Sequence, residues 1–170
     1  MTLRSYRGKA PTVADGAYVD RDCIAIGEVS IGQDATIWPG AILRADDDRI
    51  EIGQGTAVMD MAFIEAPKGE PVTIGCGCIV SHGAMLHGCT IADGVMIGIG
   101  AIVLDRASLE KGAILAAGSV VPPGQRVPPA SLAMGAPAKV VREVTEEEQR
   151  RLSEYLETVR AKAAGHALEG

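Results

Sequence analysis

Two histidines stand out as residues that could do chemistry. His82 lies in Val80-Ser-His-Gly83 and His87 in Met85-Leu-His-Gly-Cys89. One histidine alone is more often a packing or surface group. Two so close together offer a pair of neutral imidazoles, a common kind of metal ligand. A catalytic zinc needs three protein ligands and one open position, so the pair is incomplete by itself. The third histidine, His166, falls near the C-terminal end and is expected in a weakly ordered tail. The four cysteines, Cys23, Cys76, Cys78 and Cys89, lack the paired C-x2-C spacing of a zinc ribbon. Cys76-x-Cys78 is a faint metal signal, and reduced thiols are the expectation. Arg44 precedes Asp46-Asp47-Asp48. That run reads either as a solvated charge cluster or as one side of an ion pair.

The elements that position these residues follow from an internal period of six. Counting from Val13, aliphatic residues recur at Val19, Ala25, Ile31, Ile37 and Leu43. After a short insertion near Asp47–Arg49 they resume at Ile52, Val58 and Ile64, and after Pro67–Pro71 at Ile74, Val80 and Leu86. With one residue dropped, the series runs from Ile91 to Val121. Four positions after each sits a small or compact residue, among them Ala41, Ala62, Ala84, Ala101 and Ser119. Gly often follows the aliphatic residue, as at Gly32, Gly53, Gly75 and Gly98. A helix needs apolar spacings of three and four, and a long strand needs strict alternation. A strict six means short strands joined by tight turns, three units to a triangular coil. Stacked coils make a parallel β-helix, with aliphatic residues inside, small residues at the corners and glycine giving freedom near the turns. His82 and His87 then lie on consecutive repeat units.

The β-helix is expected over 11–124, where Pro122-Pro123-Gly124 and Pro128-Pro129 act as breakers. Residues 125–170 form a C-terminal extension. Thr145-Glu-Glu-Glu148 reads as a capping box. Leu152, Tyr155, Leu156, Val159 and Ala163 recur at helical spacing, giving an amphipathic helix over about 146–164. Its stripe packs either on the coils or on a neighbouring subunit.

Composition narrows the function. The chain has 170 residues, a formal charge of −6 and 47% apolar residues, yet only one Trp, three Tyr and one Phe. A disordered chain would lack that apolar content. The acidic balance and scarce aromatics argue against nucleic acid as a partner. No apolar run approaches the ~18–20 residues of a membrane-spanning helix. Met1–Lys9 carries Arg4, Arg7 and Lys9 without an apolar stretch, so a cytoplasmic location is expected.

Several stretches resemble the γ-class carbonic anhydrases of the hexapeptide-repeat family: Ile42-Leu-Arg-Ala-Asp46, Ile79-Val-Ser-His82-Gly83 and Met85-Leu-His87-Gly-Cys-Thr-Ile91. So do Val120-Val-Pro-Pro-Gly124 and Gly135-Ala-Pro-Ala-Lys139, and the likeness runs from about Gly8 to Glu148. The resemblance implies a left-handed hand for the β-helix and a homotrimer. It also implies a metal (zinc, or iron or cobalt) held between subunits by three histidines, two from one subunit and one from its neighbour. That family hydrates CO2 to bicarbonate, the metal lowering the pKa of bound water toward ~7. His82 and His87 match two ligand positions, and the remaining one is Glu65 here. Arg44 and Asp46 match the family's Arg-x-Asp, and Asp60 matches the acid that pairs with Arg44 across the interface. Met59 stands where a glutamine orients the bound water, and Ser131-Leu-Ala-Met134 replaces a segment that carries a tyrosine.

A His2Glu set is a legitimate zinc site. Its carboxylate lowers the charge felt by the bound water, however, and Met59 makes the site more apolar. The resemblance therefore implies a metal site on His82, His87 and Glu65, with Glu65 and Asp60 as catalytic candidates and CO2 hydration weak or lost. Two other functions fit the same repeat. One is a CoA-dependent acyltransferase using His82 or His87 as general base. The other is a non-catalytic assembly module in which Arg44 with Asp60 or Asp46 is structural.

Overall fold

In the computed structural model, which describes residues 2–169, the hexads form parallel strands, most of them two or three residues long. They wind into the expected β-helix of about seven turns. Val19, Ile37, Val58, Val80, Ile97, Leu115 and Ala133 stack in register down one face. Ala25, Leu43, Ile64, Leu86, Val103 and Val121 stack down a second. Val13, Ile31, Ile52, Ile74, Ile91, Leu109 and Val127 stack down a third. Apart from Val13 and Val19 in the first turn, all of these are buried and form one continuous core. Ala41, Ala62, Ala84, Ala101 and Ser119 are buried at a corner, where a larger side chain would hold the strands apart.

The glycines after the aliphatic positions serve a purpose other than turn freedom. Gly32, Gly53, Gly75 and Gly98 have no positive φ. A Cβ on Gly98 would lie 2.5 Å from the Ala117 amide nitrogen, and one on Gly32 would lie 2.7 Å from the Ile52 oxygen. These glycines let successive coils approach. Left-handed backbone is needed two residues later, at Gly55 (φ 65), Gly77 (φ 62) and Gly100 (φ 63).

Two long strands, Ile24–Ile31 and Ile42–Ile52, bend around one corner. They join the second and third faces into a 12-stranded sheet, while the first face is a separate 8-stranded sheet. Between these strands Gly27 pairs with Ala45 and Val29 with Ile50, so two steps on one strand oppose five on the other. The three extra residues are the Asp47–Arg49 insertion.

The parallel ladder continues past residue 124, where the repeat was expected to end. Arg126–Val127 pairs with Ser108–Leu109, and Leu132-Ala133 pairs with Ile114-Leu115. Pro122, Pro123, Pro128 and Pro129 fall in turns, where a missing N–H breaks no ladder bond. Gly135-Ala-Pro137 then reverses the chain into an antiparallel strand, Ala138–Glu143.

The helix spans Glu146–Glu169, longer than the expected 146–164. Gly165 lies within it without ending it. Its start is the capping box: the Glu148 N–H donates to Thr145 Oγ1 at 3.2 Å, and the Thr145 N–H donates to Glu148 Oε2 at 2.9 Å. Arg142 and then the Thr145 amide pull the Glu148 carboxyl down to about 2. Leu152, Leu156, Val159 and Ala163 pack on the outside of the first face against Tyr18, Trp38, Ala57, Met59, Ile79 and Met96. The stripe therefore covers the chain's own coils, and Tyr155 stays exposed. His166 lies on this helix, edge-on to Trp38 at 5.7 Å, and not in a loose tail. No helix among the described residues is long and apolar enough to cross a membrane.

The two kinds of glycine give a test. Gly100→Ala meets no atom but keeps an unfavourable φ, costing roughly 1–2 kcal/mol. Gly98→Ala must push apart two coils and is expected to cost more. Urea unfolding of both variants checks the order, and equal costs would contradict the close-approach account.

Candidate metal centre

Register assembles the first half of the site. Arg44 pairs with Glu65, and Glu65 with His87, on three successive coils, so the three side chains form one column. The Arg44 Nη2 donates to Glu65 Oε1. Glu65 Oε2 lies 3.9 Å from His87 Nε2. On its other side His87 Nδ1 is hydrogen-bonded to Asp105 Oδ1 at 2.5 Å. Asp46, the next acid after Arg44, sits 3.6 Å from Arg44 Nε, beyond hydrogen-bond range. That Nε is buried and makes no hydrogen bond.

The second half lies at the other end of the same face. His82 occupies the corner, where Gly83 N–H bonds the Asp60 oxygen and Gly100 N–H bonds the His82 oxygen. His82 Nδ1 is 3.0 Å from Asp60 Oδ2. Between the halves run Ile42, Phe63, Met85, Ile102 and Val120, facing outward in register. None of the five is fully buried, and Met85 is 46% exposed. Met61 (70%) and Ile99 (59%) project at the corner beside them.

The structure thus joins Glu65 with His87 and Arg44, and His82 with Asp60, but it does not bring the two sets together in one chain. No three His, Cys, Asp or Glu side chains converge into a metal-holding cluster among the described residues. The donor chemistry of each half still fits a cation. Two ligands on a tetrahedral zinc with ~2.0–2.1 Å bonds lie roughly 3.3 Å apart, so the Glu65–His87 gap needs only a small closure. Each imidazole has a carboxylate at Nδ1, which leaves Nε2 for a ligand, the arrangement usual behind metal-binding histidines. Glu65 can serve Arg44 through one oxygen and a cation through the other.

Other expectations change. Arg44 has Glu65 as its partner within the chain. Within the chain Asp60 lies against His82, while the expected pairing with Arg44 is one between two copies. Met59 is only 5% exposed and packs in the cluster under the helix, so it does not make the Glu65–His87 column more apolar. Cys76-x-Cys78 offers no paired thiolates: Cys76 is exposed, while Cys78 is buried and donates to the Ala92 oxygen at 3.1 Å. Burial pushes the Cys78 thiol up to about 11 and Cys89 to about 12, which keeps both as thiols at neutral pH. Asp105 is a site residue that motif reading missed. Its signal is spacing, since it lies 18 residues after His87, close to one coil.

No protein-family model matches the chain. It is 38% identical to the carbonic anhydrase of Geobacillus kaustophilus, over 89% of this chain and 86% of that one. It is 35% identical to the mitochondrial γ carbonic anhydrase 1 of Arabidopsis thaliana, over 99% of this chain, but it spans only 63% of that protein's length. The crystal structure of a hexapeptide transferase family protein from Anaplasma phagocytophilum superposes with a TM-score of 0.92 at 38% identity, covering 96% of this chain and 97% of that one. On these likenesses and the coil it forms, the chain belongs to the γ carbonic anhydrase-like family of hexapeptide-repeat proteins.

Proposed function

We propose that the chain forms a homotrimer and hydrates CO2 weakly at sites between its subunits. Each site would hold one divalent metal ion, zinc or else iron or cobalt, between Glu65 and His87 of one protomer and His82 of the next. The observation that carries this reading is the division of the donors. Glu65 and His87 stand at one end of a face, His82 stands at the other, and an exposed apolar ladder lies between. A closed ring of three copies can join unlike ends of a face.

The Arg44 side chain, 41% exposed, supports the same assembly, because an acid from the next protomer, Asp60 or Asp46, would reach its outer guanidinium edge. Glu65, fixed by Arg44, holds one oxygen toward the cation, and Asp60 and Asp105 hold the two imidazoles. Bound there, the metal would supply Lewis acidity toward water. Glu65 in place of a third imidazole brings a negative charge to that water, which is why the expected rate is low. Acyl transfer by the same histidines has less support: among the described residues the coils are interrupted by nothing longer than the short loop before Pro71, which leaves little to cradle a CoA arm. Four unpaired thiols support a cytoplasmic location.

Protein purified without chelator should carry close to one metal per chain by elemental analysis, and His82→Ala should lose most of it. Stopped-flow CO2 hydration should be slow in the wild type and absent after chelation. Equal metal in both proteins would overturn the site, and a metal-free trimer would favour an assembly module. Arg44→Ala should loosen the trimer by about 1–3 kcal/mol per interface, because the acid of the next protomer loses its cation. Sedimentation at low concentration would show dissociation, and an unchanged profile would contradict the ion-pair account.

A further inference from the structure

His87 is gripped on the side away from Glu65. Its Nδ1 bonds Asp105 Oδ1 at 2.5 Å while Nε2 lies 3.9 Å from Glu65 Oε2. Asp105 is in the turn after Ile102–Val103, one coil beyond His87. That turn is stacked on Gly88 by a bond from the Arg106 N–H to the Gly88 oxygen at 2.7 Å. Arg106 Nη1 is held in turn by Glu70 at 2.7 Å. Gly88 has φ 52, and a Cβ there would lie 2.9 Å from Asp105 Oδ1. The glycine after the histidine therefore keeps open the space through which the carboxylate reaches the ring.

An ionised carboxylate only accepts hydrogen bonds. A neutral His87 must then carry its hydrogen on Nδ1, which leaves the lone pair on Nε2. We infer that Asp105 is a positioning residue that locks His87 in the Nδ1–H tautomer and so presents Nε2 to the metal. The metal consequence rests on the function proposed above; the tautomer does not.

The test is the 15N imidazole spectrum of the metal-free protein at about pH 8, above the usual histidine range, with His87 assigned by its loss in His87→Ala. The wild type should show the Nδ1–H form. Asp105→Ala should shift His87 toward Nε2–H and weaken zinc binding roughly 10–100-fold. Asp105→Asn keeps the size but can turn an N–H toward the ring, so both tautomers should appear; it gives the comparison if the alanine variant does not fold. An Nε2–H wild type, or tautomers unmoved in the variants, would overturn the role of Asp105 even if zinc still binds. A tautomer shift in a protein that takes up no zinc would uphold Asp105 and overturn the metal reading instead.

Discussion

Coil-on-coil register is the constraint on which the rest of this structure depends. Parallel strands lie ~4.8 Å apart, and each residue sits over its equivalent one turn away. Side chains far apart in sequence thereby become neighbours in a column. Glu65 is placed between Arg44 on one coil and His87 on the next, so its carboxylate has a cation on one side and a titratable base on the other. A slip of one residue would turn the aliphatic column outward and the charged column inward. The buried core therefore enforces the geometry of the site.

The three faces of the coil are treated differently. The helix covers the first with Leu152, Leu156, Val159 and Ala163 and takes Met59 and Trp38 into a second small core. The face bearing Ile42, Phe63 and Met85 has no such cover, and both half-sites lie at its edges. The same association that removes its apolar surface from water would bring unlike half-sites of two copies together. In the proposed assembly, stability and function would be linked through that face.

The architecture was legible because a period of six writes the inward column and the small corners directly into the chain. Sequence shows where a Cβ is missing without showing why, so Gly32 and Gly98 read as turn residues when they clear a path for the next coil. Prolines near 122 and 128 read as an ending because their turn positions are invisible until the ladder is seen. The two histidines stand out by spacing, and Glu65, Arg44 and Asp60 by family likeness. Their partners depend on coil length: Arg44 meets Glu65, 21 residues on, across the Asp47–Arg49 insertion, and His87 meets Asp105, 18 residues on, in a coil without one. Reading residues about one turn apart would have brought Asp105 into view.

The most direct test of a site shared between copies is complementation. His82→Ala and His87→Ala chains are each expected to bind little metal alone. Unfolded together and refolded as a mixture, they should form trimers in which about one interface in four joins two intact half-sites. Metal content, measured after gel filtration, should rise to roughly that fraction of wild type. A mixture as empty as its components, or either variant fully loaded by itself, would contradict the shared site.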